Sequence, residues 1–238
     1  VGVLTYLLRV KHIMGKHMAK WSYSSLSLFK QCPRKYYRLR VKKDIPQEES
    51  TAMFYGKEAH KAAEDYVRKD TVIPEKFKYI EPYLNVLKKL KGEKLCEYEM
   101  GLTKDLKPCG FKDKNYWWRG IADLVVHDED TAYVIDYKTG KSARYADTKQ
   151  LEILSVATFQ HFPKVNYIKA GLLFVVSKDL IKTNYVRSQT QALMKNFNFD
   201  VERLDTAFET NVWNPIPNFT CRKFCPVNNC EHNGGYVG

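Results

Sequence analysis

Two neighbouring stretches decide the fold: Tyr116-Trp-Trp-Arg-Gly-Ile-Ala-Asp-Leu-Val-Val126 and Ala132-Tyr-Val-Ile-Asp-Tyr-Lys138. Both are rich in β-branched and aromatic residues, and an acidic turn at His127 to Thr131 separates them, so together they predict a hairpin. Residues two apart on a strand share a face, which points Asp136 and Lys138 together and Tyr137 the other way. The turn can bring Asp123 beside them, in a register that only the fold decides. Two carboxylates and an ammonium admit two readings. One is a salt-bridged structural cluster. In the other, Asp123 and Asp136 hold a hard, magnesium-type cation, while Lys138 orients water or stabilises charge growing on a phosphate.

Outward from the hairpin, Ser24 is placed to cap a short helix that Pro33 interrupts. A second helix is predicted over about 52–69, where Gly56, His60, Ala63 and Val67 recur on one face and turn His60 inward. Residues 74–91 read as helical but polar, interrupted at Pro82. Residues 94–103 alternate as a strand, with Cys96, Tyr98 and Met100 set against Glu97 and Glu99. Helical spacing returns over 148–160, an apolar strand over 167–176 and a long helix over 191–208. The sum is a mixed α/β core, a central sheet flanked by helices. Residues 211–238, with their Pro, Gly, Asn and Cys, read as an irregular appendage.

Composition narrows the function. The 238 residues suffice for one sizeable core, and 44% apolar with 28% charged residues excludes a disordered chain. No run approaches the ~18 apolar residues of a membrane span. The net charge is +12, and residues 1–44 hold eleven Lys and Arg against the single acid Asp44. Such a local excess favours a polyanion, nucleic acid before membrane. Met18-Ala-Lys-Trp21 reads as a translational start, which leaves residues 1–17 as an upstream or added extension without assigned function. Arg34, Lys35, Arg38 and Arg40 interleave with Tyr36 and Tyr37, a pattern suited to a DNA groove with Tyr36 packed inward. Arg119 and Lys141 flank the carboxylate–lysine group and are placed to steer a phosphodiester.

Three of the six cysteines, Cys221, Cys225 and Cys230, crowd the C-terminus, while Cys32, Cys96 and Cys109 are dispersed. Three sulfurs within ten residues suit a soft metal better than disulfides, and no secretory leader is evident, so a reducing, cytoplasmic setting is expected. No GxxxxGK[ST] loop is present, so a helicase function would need a partner.

The ordered set Ser24-Ser-Leu-Ser-Leu-Phe-Lys-Gln-Cys-Pro-Arg-Lys-Tyr-Tyr37, Gly56-Lys-Glu-Ala-His60, Gly120-Ile-Ala-Asp123, Asp136-Tyr-Lys-Thr-Gly140 and Gln150-Leu151 resembles the PD-(D/E)xK nuclease superfamily. Within it, the set is similar to the RecB-like, Cas4-like branch and to small bacteriophage exonucleases of DNA recombination and repair. The resemblance implies a restriction-endonuclease-like core over residues 18–210, with the tail 211–238 packing back on the N-terminal region. Asp123 and Asp136 would be metal-binding carboxylates, Lys138 the catalytic lysine, His60 a further ligand admitting Mn2+ beside Mg2+, and the Tyr137 carbonyl an oxygen ligand. Gln150 would stand near the scissile strand, although Leu154 replaces the tyrosine usual four residues later. Cys32, Cys221, Cys225 and Cys230 would hold a [4Fe–4S] cluster. Three residues, not the commoner two, separate Cys221 from Cys225, which leaves zinc, with Cys32 or His232, or no metal as alternatives.

The activity implied is a metal-dependent exonuclease acting on DNA ends, preferring single strands and leaving 5′-phosphate and 3′-hydroxyl termini. A helicase or recombination protein would be its partner, and host cytoplasm its location if phage-encoded. A non-catalytic DNA-end-binding module and a structure-selective endonuclease are the rival readings.

Overall fold

A computed structural model describes residues 18–46, 49–144 and 146–235; the extension read at 1–17 lies outside the described residues. The chain divides into two compact units. One combines residues up to 47 with those from 197 onward, and the other spans 48–196.

In the terminal unit, helix α1 (Tyr23–Gln31) is capped by Ser22 rather than Ser24. Ser22 Oγ accepts the Ser25 N–H at 3.3 Å, and Ser25 Oγ accepts the Ser22 N–H at 2.8 Å. This reciprocal pair needs a three-residue spacing, which Ser24 could not meet with Ser25. Cys32 is extended and Pro33 opens α2 (Pro33–Tyr36), where its missing N–H costs nothing; a wider π-helical turn follows over Tyr37–Lys42. Tyr36 packs inward as expected, edge-on to Phe29 at 5.7 Å and stacked on Trp213 at 5.9 Å.

A separate cysteine-rich appendage is not evident. The tail brings its own anchors: Trp213 also stacks on Tyr37 at 5.1 Å, Val227 and Cys230 are buried, and Asn218 Nδ2 donates to the Gln31 carbonyl at 3.3 Å. Its turn-rich composition concealed these few apolar contacts.

The sheet unit opens with α3 (Thr51–Lys69), a 3-10 turn at Glu75–Ile80 and α4 (Glu81–Lys88). Pro82 begins α4 rather than breaking a helix, and Phe77, Ile80, Leu84 and Leu87 are buried, so the segment is more apolar in effect than its composition suggested. The strands are β1 (Glu93–Leu102), β2 (Pro108–Cys109), β3 (Trp118–His127), β4 (Thr131–Lys138), β5 (Tyr167–Phe174) and β6 (Asp179–Val186). They form one mixed sheet ordered β2-β1-β3-β4-β5-β6. Only β4 and β5 are parallel, joined through α5 (Lys149–His161), the kind of crossover a parallel pair requires. The predicted hairpin is β3–β4, closed by Asp128 N–H on the Thr131 carbonyl at 3.0 Å. Strand β6 was not expected. It is an edge strand in which partly covered Ile181 and Thr183 and buried Tyr185 alternate with exposed Lys182 and Asn184, an alternation that the polar run Lys182-Thr-Asn184 makes faint in the sequence. Helix α6 (Thr190–Thr210) follows, and a 3-10 turn at Phe219–Arg222 is the last element among the described residues.

The side of the sheet that a residue faces reverses midway along β1 and β3. Cys96, Leu124 and Val126 share a core cluster with Ala59, Ala63 and Val67 of α3. Farther along, Met100 Sδ meets Thr158 Oγ1 of α5 at 3.8 Å, and a Cβ built on Gly120 would lie 3.5 Å from Leu154 of α5. All of these are even-numbered positions, yet they lie on opposite sides. The reversal falls at Glu97, whose φ is 49°, and at Asp123.

Leu124 is fully buried just beyond this point. Leu124→Ala is expected to lower unfolding free energy by about 2–5 kcal/mol in denaturant titration.

Candidate active site

His60 stands on the Gly56/Ala63 face of α3, with Nδ1 3.2 Å from Asp123 Oδ1 and its ring edge-on to Tyr137 at 5.8 Å. Asp123 Oδ2 accepts the Tyr137 backbone N–H at 2.5 Å. The β3–β4 pairing runs from His127 opposite Ala132 to Leu124 opposite Ile135; one step farther would match Asp123 with Asp136. There the carboxylate of Asp123 takes the Tyr137 N–H, and the two strands part between the two aspartates.

Asp136 and Lys138 point together as the spacing predicts, with Nζ 2.6 Å from Asp136 Oδ2. Gln150, in the first turn of α5, joins both: its Oε1 accepts from Lys138 Nζ at 2.7 Å and its Nε2 donates to Asp136 Oδ1. Both oxygens of the buried Asp136 carboxylate are thus engaged, Oδ2 by the Lys138 ammonium and Oδ1 by Gln150.

Sequence reasoning missed Glu97. It lies opposite Asp123 between the paired positions Cys96–Leu124 and Tyr98–Ala122. One ligand atom each from His60, Glu97 and Asp123 falls within 4.8 Å of the others. In the sequence Glu97 and Glu99 look equivalent, two acids on the polar side of one strand; only the pairing register distinguishes them. The left-handed backbone at Glu97, rare and costly for a residue with a side chain, brings it into the cleft with His60. That cleft, about 680 Å³ and open to solvent, is also lined by Met53, Gly56, Lys57, Glu64 and Thr139. A Cβ on Gly56 would meet Thr139 Oγ1 at 3.3 Å, so glycine keeps α3 close to the end of β4.

The electrostatics are those of crowded acids. Burial, reinforced by the charge of Asp123, pushes the Glu97 carboxyl up to about 7. Burial and the same charge raise Asp136, against the pull of Lys138 and His60. For His60, burial works against protonation but is outweighed by the hydrogen bond its ring N–H donates to Asp123 and by the charges of Asp123, Asp136 and Glu97, so its pKa is raised. Like charges facing across a strand pair are unfavourable alone. Two carboxylates and one imidazole with ligand atoms within 4.8 Å of one another fit a divalent cation, the nitrogen widening the choice from magnesium to manganese. His60, Glu97 and Asp123 are thus a candidate divalent-metal site.

The remaining predicted residues are placed as follows. The Tyr137 side chain is buried in the α3-side core. The Arg119 guanidinium lies over Phe111 at 4.8 Å and Tyr116 at 4.7 Å, and Lys141 is exposed just beyond β4. In the terminal unit Arg34 bonds to Glu231 and approaches Cys230 Sγ at 3.8 Å, Lys35 donates to Gln31 Oε1 at 3.1 Å, and Arg38 bonds to Asp44 at 2.7 Å and to Asn229. All six cysteines are free thiols; Cys32 and Cys230 are buried, Cys221 and Cys225 half-buried. Among the described residues these four sulfurs do not gather into a tight ligand group. Leu154, where the resemblance implies tyrosine, is buried in the core.

The sequence pattern of the PD-(D/E)XK nuclease superfamily matches residues 20–230. The chain belongs to this superfamily. No curated protein matches it closely. A candidate exonuclease from Eubacterium rectale, known from its crystal structure, shares the fold at TM-score 0.53 and 13% identity, over 90% of this chain and 88% of its own. The structure of SSO0001 aligns over 86% of this chain and 87% of its own at 16% identity, with a TM-score of 0.36.

The raised acids set the pH behaviour of the metal-free nuclease fold. A folded-state Glu97 near 7 holds a proton that the unfolded chain releases from 4.5 upward, so stability falls as pH rises through that window. His60 acts in the same direction: its contribution is present below 6.5 and is lost as pH rises beyond that. In chelator, Tm is expected to fall between about pH 5 and 8. Glu97→Gln should flatten that fall, raise Tm at the alkaline end and shrink the stabilisation produced by Mn2+ in differential scanning fluorimetry.

Proposed function

We propose that this member of the superfamily is a metal-dependent DNA exonuclease of the RecB-like, Cas4-like kind, hydrolysing phosphodiesters at DNA ends, with single strands preferred. The observation that carries the reading is the cluster of His60, Glu97 and Asp123, in a fold that also sets Asp136 against Lys138 and Gln150. A divalent ion held by His60 and the carboxylates, with the Tyr137 carbonyl as a further donor, would acidify water and offset charge on the phosphate.

The chain's own groups do the rest. Gln150 holds the Lys138 ammonium in place, so its charge is fixed before substrate arrives. Lys138 orients the attacking water or donates to the phosphate oxygen on which charge grows. Attack by water breaks the bond to the 3′ oxygen, leaving a 5′-phosphate and a 3′-hydroxyl with no covalent enzyme intermediate. Arg119 and Lys141 serve phosphates near the cleft; Arg34, Lys35 and Arg38 serve them on the terminal unit. No described helix is long and apolar enough to cross a membrane.

We also propose a [4Fe–4S] cluster on Cys32, Cys221, Cys225 and Cys230. The support is their order in the sequence, one cysteine ahead of the sheet unit and three in the tail. Anaerobically purified protein should then absorb near ~400 nm, and Cys221→Ala should lose that band. Colourless protein containing zinc or no metal refutes the cluster without touching the nuclease reading.

The activity is tested with end-labelled linear DNA, closed circular DNA and Mn2+. Lys138→Ala and Asp136→Ala are each expected to slow release of end label by about 100-fold or more, with circles left intact. Undiminished cleavage by these variants rules the mechanism out. Cutting of circles makes the enzyme an endonuclease, and metal-independent binding without cleavage makes it a binding module.

A further inference from the structure

The tail carries a surface that the nuclease reading does not use. Asn218 caps a short 3-10 turn, Phe219–Arg222, its side chain accepting the Thr220 N–H at 3.0 Å. Residues three apart eclipse in such a turn, so Phe219 and Arg222 stand on the same side. Lys223 and Phe224 follow directly. Phe219 is 84% and Phe224 70% exposed, and among the described residues neither ring touches another ring or a cation. Arg222 and Lys223 are exposed and, among the described residues, without an acidic partner. No Asp or Glu occurs between Asn211 and Cys230. Two bare phenyl rings normally carry a cost in water, and here the same residue run supplies two unopposed positive charges.

We propose that Phe219, Arg222, Lys223 and Phe224 form a second nucleic-acid contact, specific for single strands: the rings stack on unpaired bases and the cations bind the adjoining phosphates. The charge selects a polyanion. Flat apolar faces placed beside the cations select one with flat faces of its own, and in a duplex the faces of the bases are already stacked on each other. This inference rests on the reading that nucleic acid is the substrate, and it adds a strand-binding surface outside the catalytic group. Both rings are so exposed that replacing them should leave the fold unchanged.

The test is fluorescence anisotropy on the full chain in chelator, with a labelled single strand, its duplex, and phosphatidylserine vesicles in parallel. Phe219→Ala/Phe224→Ala is expected to weaken single-strand binding about tenfold or more and to leave duplex binding unchanged. Phe219→Leu/Phe224→Leu, which keeps apolar bulk without a ring, should not restore it. Arg222→Ala/Lys223→Ala should reduce the slope of log affinity against log salt by about 1.4. Wild-type affinity in the Phe variants, equal losses on single strand and duplex, or a loss confined to vesicles overturns the proposal. Failure of the nuclease reading would show separately, as absence of cleavage by the wild-type chain.

Discussion

A strand sends alternate side chains to opposite sides, so one paired ladder cannot serve two different helices along its length unless both strands turn over together. In this chain they do so at Glu97 and Asp123, where β1 adopts a left-handed φ of 49° and Asp123 takes the Tyr137 N–H in place of a ladder bond. On one side of that point Cys96, Leu124 and Val126 pack with α3; on the other, Met100 and Gly120 lie towards α5. The turnover lets His60, carried by α3, reach Asp123, while Gln150, carried by α5, reaches Asp136. The strain is local and the acids repel, which is the arrangement expected where a bound cation provides the compensation.

Each half of the candidate site is held by a different kind of restraint. Asp123 is fixed by a backbone N–H and by His60, so its position depends on the sheet and α3. Asp136 and Lys138 are fixed by Gln150, so their separation depends on where α5 begins. Mn2+ or Mg2+ would join the two halves. Stability and activity should respond differently to changes in each: loss of Gln150 frees a charged pair, whereas loss of Glu97 relieves repulsion.

Much of this was legible in the sequence because it depends on short spacings. The one-residue interval from Asp136 to Lys138, the helical row Gly56, His60, Ala63, Val67, and the turn at His127 to Thr131 each translate directly into a shared face or a hairpin. Glu97 was not legible, since its role requires the pairing register and a backbone conformation that no propensity favours for glutamate. Ser22 was passed over for Ser24 because a capping box depends on the partner three residues on. Strand β6 left only a faint signal because Lys182, Thr183 and Asn184 put a polar run through its alternation, and the tail read as an irregular appendage because Trp213 and Val227 are too few to register as a pattern yet sufficient to anchor it.

The central claim is that the turnover at Glu97 and Asp123 builds a metal site. The most direct measurement is Mn2+ titration of the chelator-stripped full chain followed by electron paramagnetic resonance of the free ion, compared with Asp123→Asn. Saturable binding by the wild type that the variant loses is the predicted result. Equal binding by both proteins, or none by the wild type, would contradict the account.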